Sequence, residues 1–244
     1  MKYPESLLKA RLIKRYKRFL ADVILDDGTE MTIHTANTGS MNGCAIPGST
    51  IWISNSHNPK RKYLYSWELS STESGNLIGI NTILANKLAK EAIEKGFISE
   101  LSDVSEIATE VPYGAEKSRI DLLVRQKNGQ KCYVEIKNVT ASFEQGVAAF
   151  PDAVTARGTK HLRELELMVQ HGHRAVILYC VQREDIHMVR AAQEIDPVYA
   201  QTLKEVAEKG VEVLAYGVQF LQGETPLGIE LNRKLSVILN FVVR

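Results

Sequence analysis

These 244 residues predict an α/β (α+β) protein in two domains, a small all-β barrel followed by a mixed-sheet domain. Three observations support this. Short alternating strands separated by Gly, Asn and Pro loops fill the first part of the chain. Strand and helix patterns alternate after it. Charge divides the same way, since residues 1–67 hold 10 Lys+Arg against 5 Asp+Glu while the whole chain nets only +1. A basic first part and an acidic second suggest polyanion binding in one and metal binding in the other.

In the first domain, residues 18–25 and 31–35 alternate as strands around the turn Asp26-Asp27-Gly28, and residues 50–54 and 62–69 supply two more. Breaker-rich loops, Asn37-Thr38-Gly39-Ser40-Met41-Asn42-Gly43 and Asn55-Ser56-His57-Asn58-Pro59, separate them. Short strands with long loops suggest a Greek-key barrel of the OB type, although propensity alone also fits an SH3-like barrel. Lys9, Arg11, Lys14, Arg15, Lys17 and Arg18 form one basic cluster, and Lys60, Arg61 and Lys62 form another. Tyr63, Tyr65 and Trp67 alternate directly after the second cluster. In OB-type grooves cations track phosphates and aromatic rings stack bases, but Trp67 fits barrel core better than a stacking face. Residues 73–79 read as a linker between domains at 1–72 and 80–244.

The second domain opens on Asn81-Thr82, which caps a helix to Lys95 that Gly96 closes. Leu84, Ala85, Leu88, Ala89, Ala92 and Ile93 form its apolar half, with Glu91 at the border. After a strand at 108–113 comes a hairpin over 118–140. A three-residue loop, Lys127-Asn128-Gly129, pairs Gln126 with Gln130. Asp121 then lies opposite Glu135, with Lys137 on the same face. Ile120, Leu122 and Val124 share the other face with Cys132, Val134 and Ile136. A two-residue turn would reverse the parity and bury one of the acids unpaired. Two neighbouring carboxylates repel each other unless a cation sits between them. Hard oxygen ligands select Mg²⁺ or Mn²⁺, which draw their remaining ligands from water and phosphate. A lysine beside such an ion can orient or deprotonate a water for in-line attack on phosphorus. The plainer alternative is a surface hairpin with a cross-strand ion pair.

Asp152, Arg157, Lys160 and His161 crowd a loop entering a helix whose stripe is Leu162, Leu165 and Val169 and whose end is Gly172. Charge and helix dipole together make this a phosphate site; a solvated turn, with His161 as a packing residue, is the alternative. Residues 174–182 run apolar, as in a strand covered on both faces. Asp196-Pro197 opens a helix over 198–209, and 211–218 returns as strand. The tail, 229–243, packs as strand or helix with no assigned place. Cys44, Cys132 and Cys180 lack metal-ligand spacing and read as buried thiols of a reducing compartment. No apolar run is long enough for a signal peptide or a membrane span, so a cytoplasmic location is expected.

Asp121 followed a hairpin later by Glu135-x-Lys137 resembles the PD-(D/E)xK nuclease superfamily, with Ile120 where that pattern has proline. The resemblance implies an extra acid from the first helix, here Glu91. Longer motifs resemble the sugar fermentation stimulation protein A (SfsA) family: Arg15-Tyr16-Lys17-Arg18-Phe19-Leu20-Ala21, Asn37-Thr38-Gly39-Ser40-Met41, Pro59-Lys60-Arg61-Lys62, Ser118-Arg119-Ile120-Asp121 and the loop over 150–162. The likeness spans about residues 11–216. It implies an N-terminal OB-like barrel, a PD-(D/E)xK nuclease-like second domain, DNA binding without marked sequence preference, and a regulatory role in sugar (maltose) use.

The expected site residues are Asp121 and Glu135 as ligands of Mg²⁺ or Mn²⁺, with Lys137 and Glu91 as further catalytic groups. Arg15, Lys17, Arg18, Lys60, Arg61, Lys62, Arg119, Arg157, Lys160 and His161 are expected on DNA phosphates. The expected partner is double- or single-stranded DNA, with a homodimer left open and no membrane. Two functions compete: a metal-dependent deoxyribonuclease, and a DNA-binding transcriptional regulator that keeps the nuclease fold without cleaving. A protein-interaction scaffold, the third class, leaves the cation clusters unexplained.

Overall fold

The computed structural model describes residues 1–116 and 118–239. Its first half is a closed barrel built from β1 (Leu8–Tyr16), β2 (Leu20–Leu25), β3 (Glu30–His34), β4 (Thr50–Asn55) and β5 (Tyr65–Ser71). The strand order β3-β2-β1-β4-β5, closed by a parallel contact between His34 and Ser66, is the OB arrangement and sets aside the SH3-like alternative. β1 falls where the sequence showed only a cationic cluster. Ala10 and Leu12 point into the barrel while Lys9, Arg11 and Lys14 face solvent, so those cations belong to an alternating strand. The loop after β3 plugs the barrel with Met41 and Cys44. Trp67 is fully buried in the same core and Tyr65 packs against it, while Tyr63 lies outside β5. Trp67 is thus barrel core, as expected, and a stacking face of Tyr63 and Tyr65 is not formed on β5.

Residues 73–79 are not an open linker. They hold a tight turn and β6 (Leu77–Gly79), which pairs with β5 and closes against the second domain where the Gly79 amide donates to the Gln182 carbonyl (2.7 Å).

The second domain runs α1 (Leu84–Glu94), a 3₁₀ turn (Ser99–Leu101), β7 (Val104–Tyr113), β8 (Ser118–Gln126), β9 (Lys131–Val139), β10 (Ser142–Glu144), β11 (Val147–Phe150), α2 (Ala156–Gln170), β12 (Arg174–Val181), β13 (Met188–Ala191), α3 (Pro197–Glu208), β14 (Glu212–Leu221), β15 (Gly228–Lys234) and β16 (Ser236–Ile238). The central sheet has the order β15-β14-β12-β9-β8-β7. β9, β12 and β14 are parallel and the others antiparallel, which makes the mixed sheet expected of this fold class. α1 covers one face, together with Leu7, Leu69 and Leu77 from the barrel. α2 and α3 cover the other. Residues 228–238 of the tail thus find a place as two strands; the rest of the tail extends beyond the described residues. A second sheet, β10-β11-β13-β16, was not anticipated. The three cysteines are free and buried, and among the described residues no helix is long and apolar enough to cross a membrane.

α2 and α3 begin at side-chain caps, whereas the expected Asn81-Thr82 cap of α1 is not formed and that helix starts after Ile83 without one. Thr155 Oγ1 accepts from the Gly158 amide (3.0 Å) and Asp196 from the Tyr199 amide (2.9 Å). On the β14 side, Glu100 takes the Lys234 ammonium and the Tyr216 hydroxyl (2.7 Å). Burial opposes its ionisation, but these partners outweigh burial and hold its carboxyl down at about 2, against an ordinary 4.5. The folded state therefore gains stability from this carboxylate above pH 4.5 and loses it as pH falls toward 2. Glu100→Gln is expected to remove about 2 kcal/mol at neutral pH and to flatten stability across that window. Urea midpoints of both proteins against pH test this.

Candidate active site

The hairpin forms in the expected register. The Gln126 amide donates to the Gln130 carbonyl (2.9 Å), Gly129 takes a φ of +85°, and Leu122 lies opposite Val134. The faces divide differently from the simple alternation. Leu122 and Val124 join the core under α1, whereas Ile120 joins the core under α2. The cause lies across the ladder, where Glu110 of β7 has a φ of +54° and the pairing skips Glu110–Asp121. This break turns Asp121 edge-on. Its Oδ2 accepts from the Ile136 amide (2.7 Å) and its Oδ1 from Asn86 Nδ2 on α1 (2.8 Å). Arg119, expected on phosphate, instead donates to the Glu110 carbonyl (2.7 Å) and so braces the break.

Glu135 and Lys137 share the face under α2, as expected, but they do not form an exposed surface. Glu135 is only 3% exposed. Lys137 Nζ lies 2.8 Å from Glu135 Oε1, and His161 Nδ1 on α2 bonds the same oxygen. Arg157 Nε, one helical turn before His161, donates to its Nε2 (3.4 Å), which assigns the ring proton to Nδ1. His161 therefore holds Glu135 rather than a phosphate. Glu135 Oε2 is buried and has no hydrogen-bond partner among the described residues.

The two acids titrate in opposite directions. Burial, then the charge of Glu135, raises the Asp121 carboxyl above its ordinary value. Burial also works against Glu135, but the His161 hydrogen bond and the Lys137 charge outweigh it and hold that carboxyl low. Tyr113, at the end of β7, feels the same centre. Burial first, then the charges of Glu135, Glu164 and Asp121, push its phenol up. Among the described residues, no group of three or more His, Cys, Asp or Glu side chains could hold a metal unaided.

Glu91 is not at this centre. It receives the Met1 amine (3.0 Å) and Lys95 (2.7 Å) on the far part of α1. Glu91 and Asn86 both border the apolar face of the helix, but about 140° apart, and the flank turned to Asp121 is that of Asn86. Asn86 and Glu164 were both overlooked. Buried Glu164 accepts from the Ala115 and Glu116 amides and fixes the β7–β8 connection. Nothing in residue type or spacing singles them out.

The cations also separate. Arg15 Nη2 donates to the carbonyls of Arg18 (2.6 Å), Asn37 (3.1 Å) and Gly39 (2.9 Å), so it clamps loops. Lys160 donates to the Glu116 carbonyl (2.8 Å). Arg61 donates to Ser66 Oγ at the barrel seam (3.2 Å). Lys17, Arg18, Lys60, Lys62 and Arg157 remain exposed.

An OB barrel fused to a PD-(D/E)xK nuclease-like domain, with the acids and lysine of that pattern gathered at the break in its hairpin, defines the class. Residues 13–80 match the SfsA N-terminal OB domain and residues 83–224 match the sugar fermentation stimulation protein RE domain. The chain is 52% identical over 240 residues to a sugar fermentation stimulation protein homolog of Thioalkalivibrio sulfidiphilus, covering 98% of this chain and 99% of that one. A homolog of the same name from Shewanella loihica is 55% identical over 211 residues, covering 86% and 90%. The solved structure of Pyrococcus furiosus SfsA in complex with Ca²⁺ superposes with a TM-score of 0.84 at 27% identity, covering 98% of each chain. The chain belongs to the sugar fermentation stimulation protein (SfsA) family.

Proposed function

We propose that the protein is a DNA-binding phosphodiesterase whose centre takes a divalent ion between Asp121 and Glu135. The observation that carries this reading is the unpartnered, buried Glu135 Oε2 beside a second carboxylate whose charge is disfavoured. A cation would relieve both costs. The donor set fits a hard ion such as Mg²⁺ or Mn²⁺: two carboxylates from the protein, with water and phosphate completing the shell. The Ca²⁺ complex of the Pyrococcus furiosus relative supports an oxygen-ligand ion at this fold. When bound, the ion would supply charge neutralisation for the phosphate and acidify a coordinated water.

The protein's own groups do the rest. Asn86 and the Ile136 amide aim Asp121 and partly offset the burial that opposes its charge. His161 fixes one oxygen of Glu135 and leaves the other free. Lys137, 11% exposed, is placed to orient the attacking water. Arg157 and the exposed barrel cations would hold flanking phosphates without base readout.

Lys137→Ala is expected to lower cleavage of single- or double-stranded DNA in Mg²⁺ or Mn²⁺ by at least about 100-fold, with binding retained. EDTA should abolish cleavage by the parent. Binding should weaken steeply with salt, and a flat response would remove the phosphate argument.

A second reading has its own support. Lys137 already offsets the charge of Glu135, and His161 hydrogen-bonds it, without a metal, as suits a DNA-binding regulator that keeps the fold and does not cut. Parent protein that binds DNA but leaves it intact in both metals would favour that reading. The regulatory role in maltose use would then rest on binding alone.

A further inference from the structure

A cleft of about 340 Å³ opens where the barrel meets the second domain. Its barrel wall is the β1–β2 tip and the loop carrying Asn37, Thr38 and Gly39; its other wall includes Asn138, Phe150 and Asp152. This is a built site. The tip residues Lys17 and Arg18 both have positive φ (49° and 64°), an unfavourable conformation for side-chain-bearing residues. Arg15 locks the tip to the loop through three carbonyls. The Ser40 amide ties the loop to Asp152 Oδ2 (2.8 Å), and Gly39 approaches that carboxylate so closely that any Cβ would strike it.

The interior offers one aromatic wall and several unused polar groups. Phe150 is half-buried, backed by Tyr179 and Tyr199 at ring distances of 5.8 and 5.2 Å. Among the described residues, Asn138 Nδ2, Thr38 Oγ1 and Asp152 Oδ1 have no hydrogen-bond partner, and all three residues line the cleft. The rest of the lining is more polar than apolar, with Asn37, Thr82 and Thr140 beside Val139 and Ala149. Arg18 adds a cation at the mouth.

The cleft joins the carboxylate centre along the chain. Asn138 directly follows Lys137 on β9 and turns to the other face of the strand, where it meets Gln182. Thr82, also in the lining, lies four residues before Asn86, which holds Asp121.

We propose that this cleft receives one unstacked nucleobase of the bound strand, next to the phosphate held at the centre; the inference rests on the nucleic-acid reading above. The volume suits a single small ligand and not a base pair. A flat ring wall with amide and hydroxyl groups around it matches a base that stacks on one face and hydrogen-bonds at its edge. A paired base must leave its stack to enter, so a nucleotide that is already unpaired enters at lower cost.

The test is affinity in EDTA for three DNA duplexes: fully paired, carrying one unpaired adenine, and carrying an abasic residue at the same place. The parent should bind the unpaired-adenine duplex about tenfold more tightly than the paired one, and the abasic residue should erase that gain. Asn138→Ala and Thr38→Val should each reduce the gain to below about threefold while leaving the paired duplex within about twofold. Phe150→Leu should remove most of it; if that variant fails to fold, the other two decide. Equal affinity of the parent for all three duplexes, or a gain that survives in Asn138→Ala and Thr38→Val, would overturn the proposal. A gain seen in a protein that cuts nothing in Mg²⁺ or Mn²⁺ keeps the base site and removes the phosphodiesterase. No binding to any duplex removes both.

Discussion

Glu135→Ala should cost the fold about 3 kcal/mol in EDTA, whereas Asp121→Asn should change stability by no more than about 1 kcal/mol. The two acids sit in one centre, but their environments have opposite signs. Glu135 is the shared anion for Lys137 and His161, whose facing nitrogens are 3.4 Å apart and which are 11% and 7% exposed. Removing it leaves buried donors opposed to one another, which is the costly way to break a buried pair. Asp121 carries a charge that burial and Glu135 disfavour. An amide there loses one of the two hydrogen bonds from Ile136 and Asn86 but also relieves the repulsion. Urea unfolding of the three proteins measures both effects. If the two substitutions cost the same, the charges are not arranged as described. Adding Mg²⁺ should stabilise the parent and neither variant.

Gly114→Ala should destabilise by about 3 kcal/mol or more. Gly114 has a φ of +73°, and a Cβ there would fall on the carboxylate of Glu164. That carboxylate holds the Ala115 and Glu116 amides (3.0 and 2.7 Å), so a displaced Glu164 loses two charge-assisted bonds in a buried setting. Gly129→Ala separates this from backbone strain alone. Gly129 has a φ of +85° with nothing near its missing Cβ, and should cost about 1 kcal/mol. Similar losses at both positions would mean that Glu164 contributes little.

The hairpin was legible because one parity decision, taken at Lys127-Asn128-Gly129, propagates along two strands. It stopped being legible at Ile120. The change of face there comes from the backbone of Glu110 on another strand, and residue type does not signal a positive φ at glutamate. Glu91 and Asn86 show the same limit on a helix. Both flank the apolar stripe, and only the packing of α1 against β8 decides which flank meets the acid. Cations were harder still. Arg15 and Lys160 occur in the same basic runs as Arg18 and Arg157 but, like Arg119, spend donors on main-chain carbonyls. Sequence cannot separate those roles, because a carbonyl and a phosphate oxygen attract the same side chains. β1 was hidden for a related reason, its charges masking a period-two pattern. The sheet β10-β11-β13-β16 escaped notice because it joins very short strands from distant parts of the chain.

The apolar side chains Leu7, Leu69 and Leu77 leave the barrel and enter the layer beneath α1. Barrel and sheet therefore share one apolar core beside the cleft that opens between them. A partner arriving at the seam meets walls already at their final separation, so the cost of shaping the complex falls on the incoming strand and not on the protein.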